Sequence, residues 1–162
     1  MQQRLQKSRR APEAIAAKRI TERSLAIIAT IARYRFILTS DIVRLVGGNE
    51  DVTHRHLQQL YHRNLVSRFT LPPANAGSEF IYFLDNAAGL KQLAASSTLD
   101  TSVLDLEEIR LNREKYSHKR TVGQFLFVEH ELMISSFHAD LEIAASVSES
   151  VEVERWAQGA TL

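Results

Sequence analysis

The chain has 162 residues, 44% of them hydrophobic and 24% charged, a balance that suits one ordinary globular domain or a small domain with an appendage. It has no cysteine, which excludes disulfides, thiolate metal sites and a cysteine nucleophile. No apolar run approaches the ~18 residues of a membrane span and no apolar stretch follows the basic N-terminus, so neither a transmembrane helix nor a signal peptide is predicted, and a cytoplasmic location is expected.

The formal net charge of +1 conceals an asymmetry. Residues 1–68 hold 13 Lys/Arg against 5 Asp/Glu, whereas residues 69–162 hold 7 against 14. A basic half suggests a polyanionic partner; the plainer alternative is that the two halves attract each other. Residues 1–19 concentrate Arg4, Lys7, Arg9, Arg10, Lys18 and Arg19 around a single acid, Glu13, and little there can be buried. They are predicted to form a flexible arm, which either tracks phosphates or serves as a solubilising tail.

In chain order, a first helix is predicted over residues 21–34, from Leu25, Ile28, Ala29 and Ala32 at helical spacing. Thr39 should cap a short second helix, with Asp41 in its first turn and Gly47-Gly48 ending it. A third helix begins near Asn49 or Asp51 and runs to Arg63, with Val52, Leu57, Leu60 and Tyr61 inward. Thr53, His54, Arg55, Gln58, Gln59, His62 and Arg63 are polar, and most should face away. Asn64 tolerates the left-handed conformation in which helices stop. Residues 65–71 and 79–84 are predicted strands joined by the turn chemistry of 72–78, and Asp85 or Asn86 caps a helix over 87–95. A break at 96–102 divides the chain into the arm (1–19), a first domain (20–96) and a segment (97–162) with helices at 103–116 and 124–147 and a terminal strand at 151–156.

Three helices followed by a β-hairpin is the winged helix-turn-helix order, so the fold class is α+β, mainly helical. Such a module places its third helix in the major groove and its hairpin on the backbone. The segment DVTHRHLQQLYHRNLVSR, residues 51–68, fits. Arg55 suits guanine or phosphate, and Gln58 suits adenine. The predicted DNA-contacting set is Thr39, Arg44, Val52, His54, Arg55, Gln58, His62 and Arg68, with Arg44 and Arg68 on phosphates. No cofactor is expected. His130 and Glu131 look like the start of a zinc-protease helix, but the second His is missing where Ile134 stands. His130 and His138 lie too far apart along a helix to share one metal, and each is expected to be a buried, hydrogen-bonded histidine.

Leu38-Thr39 with Asp41-Ile42, Arg55-His56-Leu57 with Leu60 and Asn64-Leu65-Val66, and Tyr82-Phe83-Leu84-Asp85 with Gly89-Leu90 together carry a resemblance to the replication-relaxation family of bacterial plasmids and mobile elements. His130-Glu131-Leu132 and residues 153–156 extend it, so that it covers roughly residues 24–156. It implies double-stranded DNA binding in replication, DNA relaxation or transcription control. It also implies a further, nuclease-like sheet beyond Leu162, so the chain is expected to be a truncated or short member without catalytic activity. Two alternatives stand beside this: a protein-interaction adaptor of a replication or mobilisation complex, and the DNA-binding part of a nuclease-like enzyme. The wide apolar stripe of the 124–147 helix suggests a homodimer or a cover for the terminal strand.

Overall fold

The computed structural model describes residues 20–71, 79–84, 87–96, 125–148, 150–154 and 156. The basic arm, the turn at 72–78, the caps Asp85 and Asn86, and the charged helix at 103–116 lie outside them. The described chain is α+β and mostly helical: α1 (Glu22–Ala32), β1 (Ile37–Leu38), α2 (Thr39–Val46), α3 (Glu50–His62), β2 (Ser67–Phe69), β3 (Ile81–Phe83), α4 (Ala87–Ala94) and α5 (Phe125–Ser146). No helix among the described residues is long and apolar enough to cross a membrane.

Helix α1 starts where Thr21 accepts the Ser24 amide through its side chain, with Glu22 near the positive end of the dipole. Its Ile27, Ile28 and Ile31 are fully buried, and they hold together a core that takes Ile42 from α2, Leu57 and Leu60 from α3, and Leu93 from α4. Thr39 does not cap α2 as expected. Leu38 occupies the cap without a side-chain bond, and the Thr39 hydroxyl and amide both donate to the Phe80 carbonyl.

That link reflects a strand the sequence does not reveal. Ile37 and Leu38 pair antiparallel with Tyr82 and Ile81, so the sheet has three antiparallel strands in the order β1-β3-β2. On the other side Ser67, Arg68 and Phe69 pair with Phe83, Tyr82 and Ile81. Two residues of β1 are too few to show an alternation. Strand β3 is central and buried on both faces. Tyr82 joins the helical core, while Ile81 and Phe83 point the other way into a second cluster with Phe36, Val128 and Leu132. Phe36 stands edge-on to Phe69, Phe83 and Phe127, with centroids 5.8, 5.8 and 6.5 Å away.

The second cluster is closed by α5, which lies against β1 and α2. The helix assigned by sequence to a separate C-terminal segment therefore shares a core with residues 20–96. The terminal strand is not seen among the described residues. Residues 151–154 make no strand pairing; Trp156 instead stacks on His138 at 4.2 Å, the rings nearly parallel.

Helix α3 ends in a reversal. Asn64 has φ 58, its amide donates to Tyr61, and the Leu65 amide donates back to Leu60, so two orphan carbonyls are satisfied and Leu65 enters the core beside Leu60. Gly89 lets α4 close over this point: a Cβ there would stand 2.4 Å from the Leu65 carbonyl oxygen and 2.5 Å from Leu84 Cδ1. Replacing Asn64 by glycine should leave stability unchanged or slightly higher, and replacing it by alanine should cost about 1 kcal/mol, because only the alanine is strained at positive φ. Gly89→Ala should cost about 1–3 kcal/mol, since the backbone it meets cannot yield. Urea midpoints of the three variants check this.

Candidate nucleic-acid interface

Helix α3 is anchored along one side. Asn49 caps it by accepting the Val52 amide through its side chain at 3.0 Å. Thr53, Leu57 and Leu60 are buried beneath it. Arg23 crosses from α1, donating to the Gly47 carbonyl at 2.6 Å and to the Thr53 hydroxyl at 2.8 Å. Ser24 meets His56 Nδ1 at 2.9 Å. Thr53, placed by sequence among the outward polar residues, is therefore an internal strut.

The opposite strip of α3 is open. His54, Arg55, Gln58 and Gln59 are all exposed. His54 approaches Glu50 one turn back at 3.7 Å. Arg55 forms no ion pair with any described residue. The strip thus presents an imidazole, a guanidinium and two carboxamides, groups that can hydrogen-bond base edges or phosphates. Gln59, passed over in the site prediction, belongs to it; its angular place beside Arg55 on the helix was the available signal.

The other predicted residues fare differently. Val52 is half-buried at the edge of the strip. His62 falls on the strip by angle, yet it is buried in the last turn of α3 with its ring 5.4 Å from Tyr61, where the reversal at Asn64 turns the chain back. Arg68 does not reach outward as expected. Its guanidinium lies 4.1 Å from the Tyr61 ring centre and 4.0 Å from that of Phe80, and it donates to the Tyr82 hydroxyl. This cation–π clamp braces the sheet against α3. Burial raises the Tyr82 pKa, against the pull of Arg68. Thr39 is tied to Phe80, and the neighbouring Ser40 amide and hydroxyl are taken by the Glu79 carboxylate, which occupies the anion-attracting start of α2.

Arg44 is exposed but doubly paired, with Asp41 at 3.1 Å and with Asp140 of α5 at 2.5 Å. It belongs to a row of contacts between the basic and acidic halves. Arg33 pairs with Glu142 at 3.0 Å, Arg35 with Glu131 at 3.0 Å in a buried contact, and Ser136 donates to Asp41. The plainer explanation of the charge asymmetry therefore accounts for three of the arginines. Near the same row His138 is buried and bonded to Glu142 at 2.9 Å, as a structural histidine should be, whereas His130 is exposed, contrary to expectation. Among the described residues no group of three or more His, Cys, Asp or Glu could hold a metal ion.

No family model matches the chain, and comparisons with curated proteins and with solved structures found no match.

Two titrations link this geometry to stability. Burial, then the charges of Arg23 and Arg55, push the His56 pKa below its usual 6.5. The unfolded chain therefore takes up this proton first as pH falls, and stability present above about 6.5 is lost below it. Burial alone would raise the Glu142 carboxyl, but the His138 hydrogen bond and the Arg33 charge outweigh it, so its pKa is lowered. Its contribution is present above the usual carboxylate range and is lost as pH falls through the lowered value. Melting curves between pH 7 and 3 should show both losses. His56→Gln should flatten the first and Glu142→Gln the second.

Proposed function

We propose that the chain is a double-stranded DNA binder of the winged helix-turn-helix type. One observation carries this reading: α3 is buried along Thr53, Leu57 and Leu60 while His54, Arg55, Gln58 and Gln59 form an uncovered polar strip on its other side. The order α1-β1-α2-α3-β2-β3, with the sheet arranged β1-β3-β2, supports the winged-helix assignment. In this reading α3 enters the major groove. Arg55 contacts guanine or a phosphate, Gln58 and Gln59 read adenine, and His54 donates to an acceptor nearby. Glu50 and Asp51, exposed at the start of α3, can accept from cytosine amino groups. The DNA contact first expected of Thr39 and the phosphate contacts expected of Arg44 and Arg68 are not part of the proposal, because each of these residues is engaged within the fold. The resemblance to replication-relaxation proteins suggests a role in plasmid or mobile-element replication, DNA relaxation or transcription control.

The same two acids favour a second reading. They would repel phosphates, and an α3 that docks a basic segment of a replication or mobilisation protein would tolerate them better. Titrating labelled duplex with the chain over a range of salt separates the two. Binding through Z phosphate contacts gives a log–log salt slope near about −0.9Z. Arg55→Ala should weaken binding by about 1–3 kcal/mol if it reads a base. Affinity that survives both Arg55→Ala and Gln58→Ala would instead favour the adaptor.

A further inference from the structure

Helix α5 is buried against β1 and α2 on one side, yet its other side carries large apolar residues. Leu126, His130, Met133, Phe137, Asp140 and Ala144, with Val147 just past its end, are all exposed. Leu126 is 82% exposed, Met133 72%, Phe137 63% and Val147 81%. The intervals run four, three, four, three, four and three, which is the spacing of a coiled-coil seam. The seam rises about 32 Å along the helix, three heptads. A helix that is apolar on two sides has two surfaces to cover, and the first is already covered by its own sheet.

The seam is complementary to itself when reversed. We propose that α5 packs antiparallel against α5 of a second copy of this chain, about a two-fold axis that crosses the exposed seam level with residue 135. In that register Met133 lies opposite the partner's Phe137, Leu126 opposite the partner's Ala144, and His130 opposite the partner's Asp140. The large Leu126 meets a small residue, and the seam's two polar residues meet each other as donor and acceptor. Parallel pairing would set Asp140 against its own copy, a like-charge contact in an apolar seam. Asp140 keeps its bond to Arg44 and has a second oxygen for the imidazole. Trp156 borders the seam, its ring centre 6.2 Å from that of Phe137. The pairing uses no part of the α3 strip and holds whether or not the chain binds DNA.

The absence of cysteine makes the register directly testable in the full chain. Leu126→Cys and Ala144→Cys are exposed changes, to be oxidised separately and after mixing. The antiparallel register brings residue 126 of one copy beside residue 144 of the other and leaves like positions about 27 Å apart, beyond the ~7 Å reach of a disulfide. A disulfide dimer should therefore form in the mixture and not in either variant alone. Light scattering of the unmodified chain should give twice the monomer mass at micromolar concentration. Phe137→Glu should weaken self-association at least about tenfold with its circular dichroism unchanged. A monomer at every concentration would overturn the proposal and leave the seam to a different protein. So would a disulfide formed by each variant with itself, or a dimer indifferent to Phe137→Glu.

Discussion

Helix α3 can bury Leu57 and Leu60 and still deliver the chain to β2 only if the backbone reverses within two residues of its last turn. Asn64, at φ 58, supplies that reversal. Its consequences spread outward. Leu65 is driven into the core beside Leu60, β2 emerges in register with β3, and α4 closes over the Leu65 carbonyl because residue 89 has no side chain. Strand β3 then pairs with β1, and the link from Phe80 to Thr39 fixes where α2 begins. The orientation of α3, and with it the direction in which Arg55 and Gln58 point, rests on this one left-handed residue more than on any contact those side chains make themselves.

Charge divides the molecule into two kinds of cation. Arg33, Arg35 and Arg44 meet Glu142, Glu131 and Asp140 of α5, so their charge is used inside the fold. Arg23 and Arg68 are internal braces, one across the start of α3 and the other between two rings. Arg55 is different in kind, being exposed and without an ion-pair partner among the described residues. A guanidinium held within the fold has already found its hydrogen-bond acceptors, whereas an exposed one can exchange water for a base edge or a phosphate. Counting arginines in the basic half therefore overstates what a polyanion could meet, and the strip on α3 is a narrower and more specific offer than the composition suggests.

The sequence made the helices legible because their apolar residues recur at helical spacing and their ends carry chemistry: Thr21 and Asn49 as caps, Gly47 and Asn64 as stops. It also separated the two sides of α3 correctly at Leu57, Leu60, Arg55 and Gln58. It failed where tertiary contacts decide. Strand β1 has two residues and no pattern of its own. Arg68 looks like a phosphate ligand and Thr39 like a helix cap until Tyr61, Phe80 and Tyr82 are placed around them. His62 has the right angle on α3 but sits where the chain turns back. Residues 151–154 alternate like a strand, yet none is paired with a neighbouring strand, and Trp156 packs on α5 instead. At Thr39 and Arg68 the side chain carries the expected chemistry, and a neighbour elsewhere in the chain decides how it is used.

The most direct test of the α3 assignment is an amide-resolved NMR titration of the chain with a mixed-sequence DNA duplex at low salt. The account requires the largest shifts at His54, Arg55, Gln58 and Gln59, with the α5 seam from Leu126 to Val147 little affected. Shifts centred on that seam, or none at all with the duplex in excess over the protein, would contradict it.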